Sequence, residues 1–189
     1  FTSTISLGEA RRRLDSHVQP IERTERVEVA SASGRVASAD VASPIAVPPF
    51  ARSAMDGYAV VASDTERAAA GTPVRLRIVE RVFTGQVPRL AIHPGTCAEI
   101  ATGAPLPAGA DAVIMVEETA RAGDAEVDLF TRAAAGQNIG RRGADISPGD
   151  LVVRRGDLLN PSRIGAVAAI GCAELEVYAQ PRVAILSTG

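Results

Sequence analysis

Three stretches of this 189-residue chain bring together residue types able to do chemistry. In residues 48–60, a proline-stiffened approach presents Ser53 and Asp56 just before an apolar run at Tyr58, Ala59 and Val60. A carboxylate on a rigid loop can bind Mg²⁺, orient water or accept a proton; Asp56-Gly57 is equally an ordinary turn signal. In residues 100–111, an apolar run ends at Thr102 and Gly103, where a hydroxyl and an unhindered backbone amide can approach an anionic oxygen. In residues 136–146, Arg142 stands three positions from Asp145. A guanidinium fork suits a phosphate, and an internal Arg–Asp ion pair is the equal alternative.

Other chemistries are excluded or unsupported. All twenty cations are arginine, so a Schiff-base lysine and a P-loop lysine are ruled out within these residues. His17 lies in a helical pattern and His93 precedes a turn proline; neither has a G-x-S-x-G elbow to serve, and both read as structural. No G-x-G-x-x-G follows a strand. Cys97 and Cys172 form no C-x-x-C pair, which speaks against a zinc site or a disulfide framework and fits a reduced, cytoplasmic setting. Aromatic residues are 3% of the chain, tryptophan is absent and the net charge is -2, so no nucleic-acid partner is expected. The longest apolar stretches, such as residues 166–173, fall far short of the roughly 20 residues of a membrane helix, and no membrane partner or secretion leader is expected. The first residue is Phe1, which suggests a processed, trimmed or partial chain.

The elements that must hold these residues follow from periodicity. Ser6 and Glu9 form a capping box ahead of Leu7, Ala10, Leu14 and Val18, predicting a helix that stops at Pro20. Val27 and Val29 alternate as a strand. Pro44, Pro48 and Pro49 break the ladder. Beyond them, short apolar runs near 58–61, 74–78, 98–101, 112–116 and 127–129 are separated by Gly and Pro turns, as in a small barrel or sandwich. Leu151 to Val153 reads as strand, Asn160-Pro161 opens a helix that Gly171 stops, and Leu175 and Val177 alternate again. Residues 182–186 are a nearly continuous apolar strand of the kind buried in a parallel sheet. The fold class is therefore α+β: a β-rich domain at 47–139 inserted into a discontinuous small α/β domain at 22–46 and 140–178. The helix of 1–21 and the strand of 179–189 belong with a truncated α/β domain.

Taken together, the strings Ser53-Ala54-Met55-Asp56-Gly57-Tyr58-Ala59, Thr102-Gly103-Ala104-Pro105-Leu106-Pro107 with Gly109-Ala110-Asp111, Gly136-Gln137-Asn138-Ile139 with Gly143 and Asp145-Ile146, and Ser187-Thr188-Gly189 resemble the molybdopterin molybdenumtransferase family, the MoeA-like proteins and the gephyrin E domain. The chain departs from the family pattern at Ala51, Arg52, Gly140 and Ala144. The resemblance implies molybdenum cofactor biosynthesis: adenylated molybdopterin and molybdate as substrates, AMP released, Mg²⁺ assisting, and a homodimer in which this chain supplies part of each site. It also implies that Asp56 and Thr102 are catalytic and that Ser53, Gly103, Asp145 and Arg142 bind substrate. The metal's own ligands are expected beyond Gly189, and the isolated fragment is expected to be inactive. The alternative is a non-catalytic dimerisation or scaffold module of the gephyrin kind.

Overall fold

The computed structural model describes residues 4–185 and Ser187. In chain order the elements are α1 (Leu7–His17), β1 (Thr24–Glu28), β2 (Val41–Ala42), β3 (Arg52–Ser53), β4 (Gly57–Val60), β5 (Val74–Val82), β6 (Thr96–Ile100), β7 (Ala112–Met115), β8 (Thr119–Arg121), β9 (Glu126–Leu129), β10 (Ile139–Gly140), β11 (Leu151–Val153), α2 (Pro161–Ala169) and β12 (Glu174–Tyr178). They fall into two compact units, Ser43–Asp150 and the pair of segments Phe1–Ala42 and Leu151–Gly189.

The strand-rich unit is built on one six-stranded sheet of order β7-β4-β6-β5-β9-β8. The small barrel expected from the strand spacing is realised as a curled half-barrel, with β7 and β8 as its outer strands. All neighbours are antiparallel except β5 and β6, which run parallel. Successive side chains of a strand face opposite sides. Accordingly Tyr58 and Val60 of β4 join Leu76, Cys97, Ile114, Val127 and Leu129 in one apolar cluster, while Ala59 joins Val82, Ala98, Ile100 and Val113 in another. Burial on both faces explains why these runs read as continuously apolar rather than alternating.

The unit extends past the expected limits of 47 and 139. Val47 bridges Ile146, the Gly149 amide donates to the Ser43 carbonyl, and β10 pairs with β3. These bonds tie residues 43–46 and 140–150, assigned from sequence to the flanking domain, to the strand-rich unit instead.

The split unit contains two short antiparallel sheets, β1 with β12 and β2 with β11. Its core is Val29, Ala32, Ala37, Val153, Leu159, Val167, Leu175 and Val177. Helix α2 starts as its sequence signals predict: Asn160 Oδ1 accepts from the Arg163 amide at 2.9 Å, Pro161 occupies the first turn, and Gly171 follows the end with φ +81°. Helix α1 also forms where expected, with Ser6 Oγ accepting from the Glu9 amide at 3.2 Å. Only half of the capping box is made, because the Glu9 carboxylate turns to Arg12 and Arg13 at 2.6 and 2.9 Å. The helix buries no side chain, and Leu7 is 87% exposed. The strand expected at 182–186 is not formed over 182–185: these residues join no ladder and are exposed, since an extended segment becomes strand only beside a hydrogen-bonded neighbour. Leu186, Thr188 and Gly189 lie outside the described residues.

Candidate functional site

Asp56 is placed by the sheet that follows it. Its carbonyl accepts from the Val116 amide at 3.0 Å, just beyond β7, and Gly57 opens β4 opposite Met115. Gly57 is required for close approach rather than for a turn. A Cβ built there would lie 1.9 Å from the Ile114 carbonyl oxygen, so only glycine lets β4 run this close to β7.

The Asp56 carboxylate meets the second cluster directly. Its Oδ1 accepts from the Thr102 amide at 2.6 Å and from the Thr102 hydroxyl at 2.8 Å. Bonds from a backbone amide and a hydroxyl stabilise the charged form, and they hold the carboxyl below the usual carboxylate range, the amide contributing most. Oδ2 has no protein partner among the described residues. Asp56 is therefore an exposed, fixed anion at neutral pH: suited to orienting a cationic or hydrogen-bond-donating group, and a poor proton donor.

Beside it lies a cleft of about 280 Å³ lined by Asp56, Gly57, Tyr58, Phe83, Glu99, Ile100, Ala101 and Val116. Phe83 and Val116, 53% and 47% exposed, form an apolar lip. The Glu99 carboxylate is gripped by Arg81, at 3.0 Å, and by Arg121. Burial pushes the Tyr58 phenol up, so it stays protonated. Sequence reasoning missed Phe83, Glu99 and Val116 as cleft residues. Their positions at and just past the ends of β5, β6 and β7 are the only signal they carried, and it emerges once the strand order is known.

The other candidates make the following contacts within the protein. Ser53 is buried; its hydroxyl donates to the Met55 carbonyl and accepts from the Met55 amide at 3.3 Å, so it shapes the loop. The Gly103 amide, expected to hold an anionic oxygen, donates to the Ser53 carbonyl at 2.8 Å. Its φ of +80° explains the glycine. Both Thr102 donors are likewise engaged, by Asp56. Arg142 and Asp145 are exposed, form no ion pair with each other, and do not line the cleft. The third cluster is tied to the first through Asn138, whose carbonyl accepts from the Ala54 amide at 2.9 Å and whose side-chain amide donates to the Val113 carbonyl at 2.9 Å.

Among the described residues no three His, Cys, Asp or Glu side chains converge as metal ligands would.

Comparison with known proteins adds four findings. The family model described as the MoeA N-terminal region (domain I and II) matches residues 5–171. Molybdopterin molybdenumtransferase 2 of Mycobacterium tuberculosis is 40% identical over 163 residues, covering 86% of this chain and 40% of that protein. Molybdopterin molybdenumtransferase of Haemophilus influenzae is 34% identical over 185 residues, covering 98% and 45%. The crystal structure of the molybdopterin biosynthesis MoeA protein from Pyrococcus horikoshii superposes with a TM-score of 0.81 at 35% identity, covering 95% of this chain and 45% of that one. The chain thus spans less than half the length of these relatives.

Proposed function

The chain belongs to the MoeA N-terminal family, and from that premise we propose that it serves molybdenum cofactor biosynthesis, contributing one wall of the site where a molybdopterin molybdenumtransferase inserts molybdate into adenylated molybdopterin and releases AMP. The observation that carries this reading is the Asp56–Thr102 clamp at the edge of the cleft. An ionised carboxylate with one oxygen saturated and the other open is a preorganised electrostatic element, most effective where water is excluded. Asp56 orients a donor group of the substrate or the attacking species, and Thr102 holds Asp56 still.

Thr102 and Gly103 direct their donors into the protein's own loops. The phosphate and molybdate oxygens then need donors from elsewhere in the full-length protein, and this supports a composite site completed by a second protomer of a homodimer. The same reading assigns α1 and residues 179–189 to a further α/β domain that covers their apolar side chains.

The test is Asp56→Asn in the full-length protein. The substitution keeps the shape and the acceptor at Oδ1 and removes the charge. Cofactor formation is expected to fall about 100-fold with only a slight drop in melting temperature. Unchanged turnover would remove Asp56 from the reaction.

A further inference from the structure

The parallel register of β5 and β6 sets Val82 opposite Ile100, so both strands end at the same edge of the sheet. Their continuations leave side by side, and the Ala101 amide donates to the Val82 carbonyl at 3.0 Å. Two residues beyond each paired position stand Thr84 and Thr102, and the Thr84 hydroxyl donates to the Thr102 carbonyl at 2.8 Å. That carbonyl belongs to the same peptide group as the Gly103 amide, which donates to the Ser53 carbonyl at 2.8 Å. The Thr102–Gly103 peptide is thus held at both ends, which fixes its plane and restrains the Thr102 backbone, whose amide, in the neighbouring Ala101–Thr102 peptide, and hydroxyl donate to Asp56.

The loop carrying Thr84 is itself braced. The Gln86 amide donates to the Phe83 carbonyl at 3.0 Å, and the Gln86 side-chain oxygen accepts from the Phe83 amide at 3.2 Å. The Glu80 carboxylate accepts from the Arg89 and Leu90 amides, each at 3.0 Å. Thr84 therefore presents its hydroxyl from a stiff loop, and its side-chain bond is the one by which residues 83–90 reach the Asp56–Thr102 clamp among the described residues.

We propose that Thr84 is a positioning residue for the proposed reaction: by holding the Thr102 carbonyl it keeps the Thr102 donors aimed at Asp56. The inference rests on the reading of Asp56 above. Thr84 is exposed, so replacing its hydroxyl leaves no buried polar group unsatisfied and no large cavity.

The test compares Thr84→Val, Thr84→Ala and Thr84→Ser in the full-length protein. Valine and alanine remove the donor, and serine keeps it. In both donor-less variants the Thr102 amide should exchange with solvent faster while β4 amides keep their protection, and kcat should fall about fivefold at unchanged KM, as for loss of one hydrogen bond. Serine should restore both. Wild-type exchange at Thr102 and wild-type kcat in the donor-less variants would overturn the proposal, as would an equal loss in the serine variant. Faster exchange at Thr102 with kcat unchanged would uphold the positioning by Thr84 and overturn instead the role given to Asp56.

Discussion

Residues 43–150 and the split unit of 1–42 with 151–189 solve the burial problem differently. The first covers both faces of one six-stranded sheet, so that β4 is buried at every position and its apolar residues divide between two clusters. The second joins two-stranded ladders and one short helix around a single core, and its other helix, α1, buries nothing. A sheet packed on both sides holds strand ends rigidly, and each residue of the Asp56 cleft sits in or beside such a strand. Position follows from packing: chemistry is hung where the backbone has least freedom.

Gly57→Ala is the severest challenge to that contrast. The added methyl would collide with the Ile114 carbonyl, a backbone atom that cannot step aside, and should cost about 3 kcal/mol or more. Denaturant unfolding would read the loss. An unchanged midpoint would mean that β4 and β7 separate easily and that the strand-rich unit is not the rigid one.

The two cysteines sharpen it next, because each unit holds one. Cys97 of β6 is fully buried, and burial pushes its thiol up to about 12; Cys172 is half-buried. Only the thiolate reacts, so a maleimide at pH 8 should label Cys172 at least about 100-fold faster than Cys97 under native conditions. Mass spectrometry of the labelled peptides checks this, and equal rates would show that the sheet opens as readily as the split unit.

The smallest effect is expected in acid. Because Thr102 lowers the Asp56 carboxyl in the folded state, the clamp's contribution to stability is complete above the ordinary carboxylate range and is lost as pH falls through the lowered folded value. The Thr102 amide resonance should therefore move only below that range. In Asp56→Asn it should not move with this titration.

The elements were legible where local chemistry decides them. Asn160, Pro161 and Gly171 bracket α2, Ser6 marks the start of α1, and the short apolar runs became β4, β6, β7 and β9. What escaped depends on pairing across the chain. The two-residue strands β3 and β10 have no periodicity to detect, yet they carry the third cluster to the first. Nothing local reveals that the Ser53 carbonyl accepts from the Gly103 amide. Asp56 and Thr102 were singled out separately, and the bond between them comes from β4 lying beside β6. Thr84 and Phe83 stood outside any motif and acquired meaning only from the parallel register of β5 and β6.

The closure of the strand-rich unit on itself has a bearing on how the chain reaches its native state. The Ser43 amide donates to the Asp150 carbonyl at 2.8 Å, so folding of the insert delivers its two ends side by side. β1 and β12 are separated by roughly 150 residues, a long loop to close from an unfolded chain. Once residues 43–150 have collapsed, that span shrinks to two short arms, and β2 and β11 are brought to hand. During synthesis residues 43–150 are complete before β12, the pairing partner of β1, is made.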